Sequence, residues 1–180
     1  RVVICHSFGS HLINQKILDQ ATHVILINSF SRFIPCGKEK RSVTMALKGM
    51  MNTINTPKEI SMLKKFHRKA YEPNLIDIKS LSSNLIYLSE SGRLKLTNDL
   101  ELLINSDVLP TGLTSNAKVL VINSEKDNIL TSQTKNKLIK DLMLYLDFAP
   151  SIINLKMEGH YITEVKNIRK IKEWLESNHV

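Results

Sequence analysis

Apolar residues along this chain fall into two kinds of run. Residues 2–5 (VVIC), 23–28 (HVILIN) and 118–123 (KVLVIN) are short and nearly continuous, the signature of parallel strands covered on both faces. A fourth strand is predicted at 151–155 (SIINL). Elsewhere the spacing is helical. A helix is predicted over 9–20, with Leu12, Ile13, Ile17 and Ala21 on one face, another over 132–146, and an amphipathic one over 164–177. The order is β-α-β, a long gap, then β-α-β-α, which predicts an α/β fold with a layered, parallel sheet.

The gap, residues 31–116, contains no strand-like alternation. Thr56-Pro57-Lys58-Glu59 reads as a helix start, with Thr as cap, Pro at the first position and Glu at the third. In the helix it opens, predicted over 57–71, Ile60, Leu63, Phe66, His67 and Ala70 share a face. A second helix is predicted over 96–104, capped by Thr97 or Asn98. The reading is a core made of residues 1–30 and 113–180, with a helical lid, 31–112, inserted between two strands of one sheet.

Composition narrows the class. At 180 residues and 42% hydrophobic, the chain can build one core. It has no apolar run long enough for a membrane span and no leader-like start, and two cysteines supply neither a disulfide scaffold nor a cysteine-rich zinc site. A reducing cytoplasm is expected. The net charge of +8 is concentrated: residues 38–69 carry nine Lys and Arg against two Glu. Such a surface attracts acidic partners unless it is only a solvated face.

The chemistry centres on Cys5-His6-Ser7-Phe8-Gly9, where an apolar strand turns into a helix. A sharp strand-to-helix turn lifts the Ser7 hydroxyl above the sheet and aims the Phe8 backbone N–H at an oxyanion forming on a bound acyl group. The turn needs small residues two before and two after the serine, and Cys5 and Gly9 fill those places. A serine nucleophile needs a histidine to take its proton, and that histidine needs a carboxylate to fix its tautomer. Asp127 follows the third strand and His160 the last, each just before a helix, so both fall on the same sheet edge as Ser7. Glu125 lies in the same loop as Asp127 and is the second candidate for the acid. His6, adjacent to the serine, is assigned a packing or hydrogen-bonding role. No pair of the six histidines has metal-ligand spacing, and the single scattered glycines form no phosphate cradle, so no metal or cofactor is expected.

Through CHSFG, VLVINSEKD and EGHYITE, with a helical insertion after HVILINS, the chain resembles the α/β-hydrolase superfamily from its nucleophile strand onward. Within it, the chain is most similar to the esterases of biotin synthesis that cleave the methyl ester of pimeloyl-acyl carrier protein. The phrases that carry this are Asn28-Ser29-Phe30-Ser31-Arg32-Phe33, the stretch Asp99-Leu100-Glu101-Leu102-Leu103 before Asp107, and the lid length. The resemblance implies an acyl-enzyme mechanism with Ser7, Asp127 and His160, and a lid that holds an acidic acyl carrier protein. Lys65-Phe66 resembles the family's arginine–phenylalanine pair, with Lys64, Arg68 and Lys69 alongside. It also implies that these are strands five to eight of eight, and that the second oxyanion N–H comes from a loop outside the chain. Because the sequence opens on Arg1 and runs straight into an apolar strand, an upstream segment is expected. Two other functions stay open: a generic carboxylesterase or thioesterase, and a non-catalytic binding protein on the same fold.

Overall fold

The computed structural model describes residues 1–75 and 86–179. Residues 76–85 of the expected lid therefore lie outside the described residues. Four strands, β1 (Val2–His6), β2 (His23–Ile27), β3 (Lys118–Ser124) and β4 (Ser151–Leu155), form one sheet in the order β1-β2-β3-β4. Every pair is parallel; Ile4 lies beside Ile25, Ile25 beside Leu120, and Val121 beside Ile152.

The continuous apolar runs follow from burial on both faces. With side chains alternating across the sheet, Val24, Leu26, Val119 and Val121 pack on one side with Leu18, Leu138 and Leu142. Ile25, Leu120 and Ile122 pack on the other against Trp174 and Leu155. The first layer uses Ile13, just after the short helix α1 (Gly9–Leu12), helix α2 (Gln15–Leu18) and, later, the helix Ser132–Tyr145; the second uses the terminal helix Val165–Ser177. β1 is an edge strand, and its Ile4 is 55% exposed.

The helix expected over 9–20 is two short helices. The chain turns extended at Ile13, and Asn14 caps the second helix by accepting the Lys16 N–H at 2.9 Å. The expected apolar face does not form either, because Leu12 and Ile17 are exposed.

Between β2 and β3 the described residues form α3 (Lys38–Met51), α4 (Glu59–Tyr71) and α5 (Glu90–Asn105). α3 was not singled out by sequence, although Val43, Leu47, Met50 and Met51 fall on one face; of these only Leu47 is fully buried. α5 starts well before the expected residue 96, capped by Ser89, whose hydroxyl accepts the Gly92 N–H. The remaining helices are α6 (Ser132–Tyr145) and α7 (Val165–Ser177). Among the described residues, no helix is long and apolar enough to cross a membrane.

α4 and α5 are joined by an ion pair. Arg93 Nε and Nη2 donate to the two oxygens of buried Glu59 at 2.8 and 3.0 Å, and the Asn55 N–H adds a third bond. The Arg93 hydrogen bonds hold the Glu59 carboxyl below its usual range, against the opposing effect of burial. A depressed carboxyl contributes stability that is complete above its unfolded pKa and is lost as pH falls through the folded one. Hydrogen exchange should therefore show α4 and α5 loosening under acid before the sheet does. Glu59→Gln should remove that acid step; an unchanged profile would assign it to other groups.

Candidate active site

β1 ends at His6, and the next residue, Ser7, sits at φ 53°, a left-handed conformation that is strained for a residue with a side chain. The turn is held by the Ser7 N–H, which donates to Ile27 O at 2.9 Å. Helix α1 begins two residues on, at Gly9, so Ser7 projects from a tight strand-to-helix turn at the carboxyl edge of the sheet. Among the described residues, the Phe8 N–H has no acceptor. The Phe8 ring stacks on the fully buried Phe30, and His11 Nε2 bonds Phe30 O at 2.8 Å, tying α1 to the segment after β2. Cys5, two residues before Ser7, is buried and unpaired, and burial pushes its thiol up.

Asp127 and His160 arrive from the loops after β3 and β4. Asp127 Oδ1 accepts the Ile129 and Leu130 N–H groups at 2.7 and 3.0 Å, which leaves Oδ2 to face His160 Nδ1 at 2.9 Å. Both side chains are buried. Burial works to raise the Asp127 carboxyl, but its bond to His160, the nearby imidazole charge and the two amides together hold it below the usual range. It is thus an ionised partner for Nδ1–H. Glu125, the other acid in this loop, is exposed and makes no bond to His160. Neither Ser7 Oγ nor His160 Nε2 makes a hydrogen bond among the described residues. His6, the residue before Ser7, has its ring 4.9 Å from that of His160.

The loop carrying His160 is anchored from several directions. Glu158, 2% exposed, accepts the Thr163 and Glu164 N–H groups at 3.0 Å each and Asn167 Nδ2 at 2.7 Å, which seats the start of α7. Asn28, fully buried, donates from Nδ2 to His160 O at 2.8 Å and Gly159 O at 3.2 Å, while its Oδ1 accepts the Ser124 N–H at 2.8 Å. His6 Nε2 reaches the same His160 carbonyl at 2.8 Å. Lys135 Nζ donates to Ser124 O at 2.6 Å; burial pulls its pKa down, while Asp127 and Glu125 partly counter that.

α4 reaches this loop through its end. The Tyr161 N–H donates to Ala70 O at 3.0 Å, and Tyr161 packs edge-on against Tyr71 at 4.9 Å and faces His67 at 6.2 Å. Of the lid residues singled out by sequence, Lys65, Arg68 and Lys69 are exposed and Lys64 is half-buried. Phe66 is also half-buried, its ring against His67, and makes no ring contact with Phe8, His6 or His160. Beside the His160 ring stands Tyr161, which packs on His67 and Tyr71; the sequence placed His67 only on the shared face of its helix and did not single out Tyr71 or Tyr161, whose one local signal is that Tyr161 follows His160 directly.

No family model matches the chain, and no curated protein matches it in sequence. Solved structures do match in shape. An esterase from Exiguobacterium antarcticum superposes with a TM-score of 0.68 at 16% identity, over 98% of this chain and 65% of that one. The 2-hydroxy-6-oxo-6-phenylhexa-2,4-dienoate hydrolase of Rhodococcus sp. strain RHA1 gives 0.64 at 13% identity, over 98% and 63%. An α/β-hydrolase fold protein from Burkholderia ambifaria gives 0.61 at 11% identity, over 97% and 65%. The chain thus spans less than two thirds of the length of each of these structures. With a parallel sheet, helices on both faces and a helical insertion after β2, the chain has the α/β-hydrolase fold, in its C-terminal part.

Proposed function

We propose that this chain supplies the nucleophile, acid and histidine of a serine carboxylic-ester hydrolase. The observation that carries the reading is the buried 2.9 Å bond from His160 to an ionised Asp127, on the sheet edge that also carries a serine held at positive φ on a strand-to-helix turn. In the cycle, Ser7 Oγ attacks the ester carbonyl as His160 Nε2 takes its proton. Asp127 stabilises the imidazolium that forms. The oxyanion meets the Phe8 N–H, a kind of donor worth about 10²–10³ in turnover. The imidazolium then protonates the departing alkoxide, leaving an acyl-serine that water cleaves by the same steps in reverse. A fluorophosphonate should label the protein at Ser7 and nowhere else, read by peptide mass spectrometry. Labelling at another residue, or none, would overturn the assignment.

The substrate we propose is an acyl ester borne by an acidic carrier, such as the methyl ester of pimeloyl-acyl carrier protein. Its support is the lysine-rich insertion, where α4 presents Lys65, Arg68 and Lys69 to solvent while its buried face meets the His160 loop. Single exposed charge pairs are worth only about 0.2–1 kcal/mol, so one substitution should change little. Reversing Lys65, Arg68 and Lys69 together to Glu should lower kcat/KM on a carrier-linked ester, chiefly by slowing association and flattening its salt dependence. A small soluble ester should be unaffected. Equal loss on both substrates would point to a disturbed lid, and loss on neither would make this a generic esterase with a solvated basic face.

A further inference from the structure

We infer that His6 is a positioning residue for His160, clasping its main-chain carbonyl, an inference that rests on the hydrolase reading above. The geometry is direct. His6 is the last residue of β1 and precedes Ser7, and its Nε2 lies 2.8 Å from His160 O, with the two rings 4.9 Å apart. A carbonyl oxygen only accepts, so Nε2 carries the hydrogen and His6 is the donor. The strand that leads into the nucleophile therefore also grips the residue that must accept its proton. Displacement of His160 by an ångström would be costly, since misplacement of that size can reduce a rate roughly 10²-fold.

The neutral state of His6 suits this task. Burial lowers its pKa; the bond to the His160 carbonyl and the charge of Asp127 oppose the shift, and the charge of His160 adds to it. A neutral His6 leaves His160 as the one imidazole that gains charge during turnover. A permanently charged side chain here would oppose that step. The same carbonyl also accepts from Asn28 Nδ2, so losing His6 weakens the placement of His160 without abolishing it.

Two variants separate the hydrogen bond from the packing of the ring. His6→Phe keeps a ring beside His160 and Tyr161 but has no donor; His6→Gln loses the ring and keeps an N–H. On p-nitrophenyl butyrate, His6→Phe should lower kcat by about 10- to 100-fold with KM nearly unchanged. His6→Gln should recover most of the loss. A fully active His6→Phe, or a His6→Gln as impaired as it, would overturn the clasp. An independent readout is the imidazole of His160, followed by ¹⁵N–¹H NMR in folded protein. Its Nδ1–H signal should shift or broaden in His6→Phe and return towards wild type in His6→Gln; an unmoved signal in His6→Phe counts against the proposal. If wild-type protein turns over no ester and takes no phosphonate, the hydrolase reading fails, and the NMR comparison still decides whether His6 positions His160.

Discussion

Replacing Ser7 by alanine is expected to reduce ester hydrolysis by about five to six orders of magnitude in a preparation that turns over p-nitrophenyl butyrate. His160→Ala should lose about as much, because nucleophile and base act as a unit and removing either removes both. Asp127→Asn is more discriminating. The Asn oxygen can still take the Ile129 and Leu130 N–H groups that Oδ1 now accepts, so the loop keeps its shape. What then faces His160 Nδ1 is an amide N–H₂. The imidazole must turn Nδ1 into an acceptor and place its hydrogen on Nε2, where it cannot take a proton from Ser7. The expected cost is about 10⁴ in turnover with little change in thermal stability. Unchanged turnover in Ser7→Ala would end the hydrolase reading. An Asp127→Asn protein that unfolds would show that the acid also carries the loop.

The second large effect is expected at Gly159. A Cβ built there would lie 1.9 Å from Glu72 O and 2.9 Å from Glu72 C, both backbone atoms at the end of α4. Backbone cannot swing aside as a side chain can, so Gly159→Ala must push α4 and the His160 loop apart. Overpacking of this kind costs typically 1–3 kcal/mol, which for a chain of this size lowers Tm by several degrees. Hydrolysis should fall together with stability, because Gly159 adjoins His160. A protein that keeps wild-type Tm and turnover would mean that the end of α4 is held loosely. Gly49, inside α3, where an added Cβ meets nothing within 4 Å, gives the control: Gly49→Ala should leave turnover unchanged and hold or slightly raise Tm, since Ala is favoured over Gly in a helix interior by up to about 1 kcal/mol.

The parts of this molecule that could be read from sequence are those whose physics is local or periodic. β2 and β3 were legible because residues such as Val24, Ile25, Leu120 and Val121 are buried on both sides of the sheet, which forces an unbroken apolar run. The break at Asn14 was not, because Ile13, Ile17 and Ala21 keep a helical spacing although Ile17 is exposed. α3 did carry a short apolar stripe, Val43, Leu47, Met50 and Met51, but its first turn, Lys38-Glu39-Lys40-Arg41, is wholly charged and reads as a solvated stretch. At the site, strand–loop–helix order was enough to single out Ser7, Asp127 and His160. The groups around them depend on tertiary placement. Asn28 and His6 are far from His160 in sequence, and only the parallel register brings all three to one edge. The seat of α4 on Gly159 is equally non-local, since no pattern near either residue announces that backbone will press on backbone.

Asn28 gives the site a polarity that shape alone does not convey. Its nitrogen points at three acceptors, Ser124 Oγ, Gly159 O and His160 O, while its oxygen points at one donor, the Ser124 N–H. An aspartate would fill the same volume and turn an oxygen towards two carbonyls, a repulsive contact in a place that water does not reach. The position therefore tolerates little chemical drift. Slow hydrolysis of this one amide in a stored sample would act as a silent inactivation, leaving the outline of the protein unchanged while loosening the loop that carries His160.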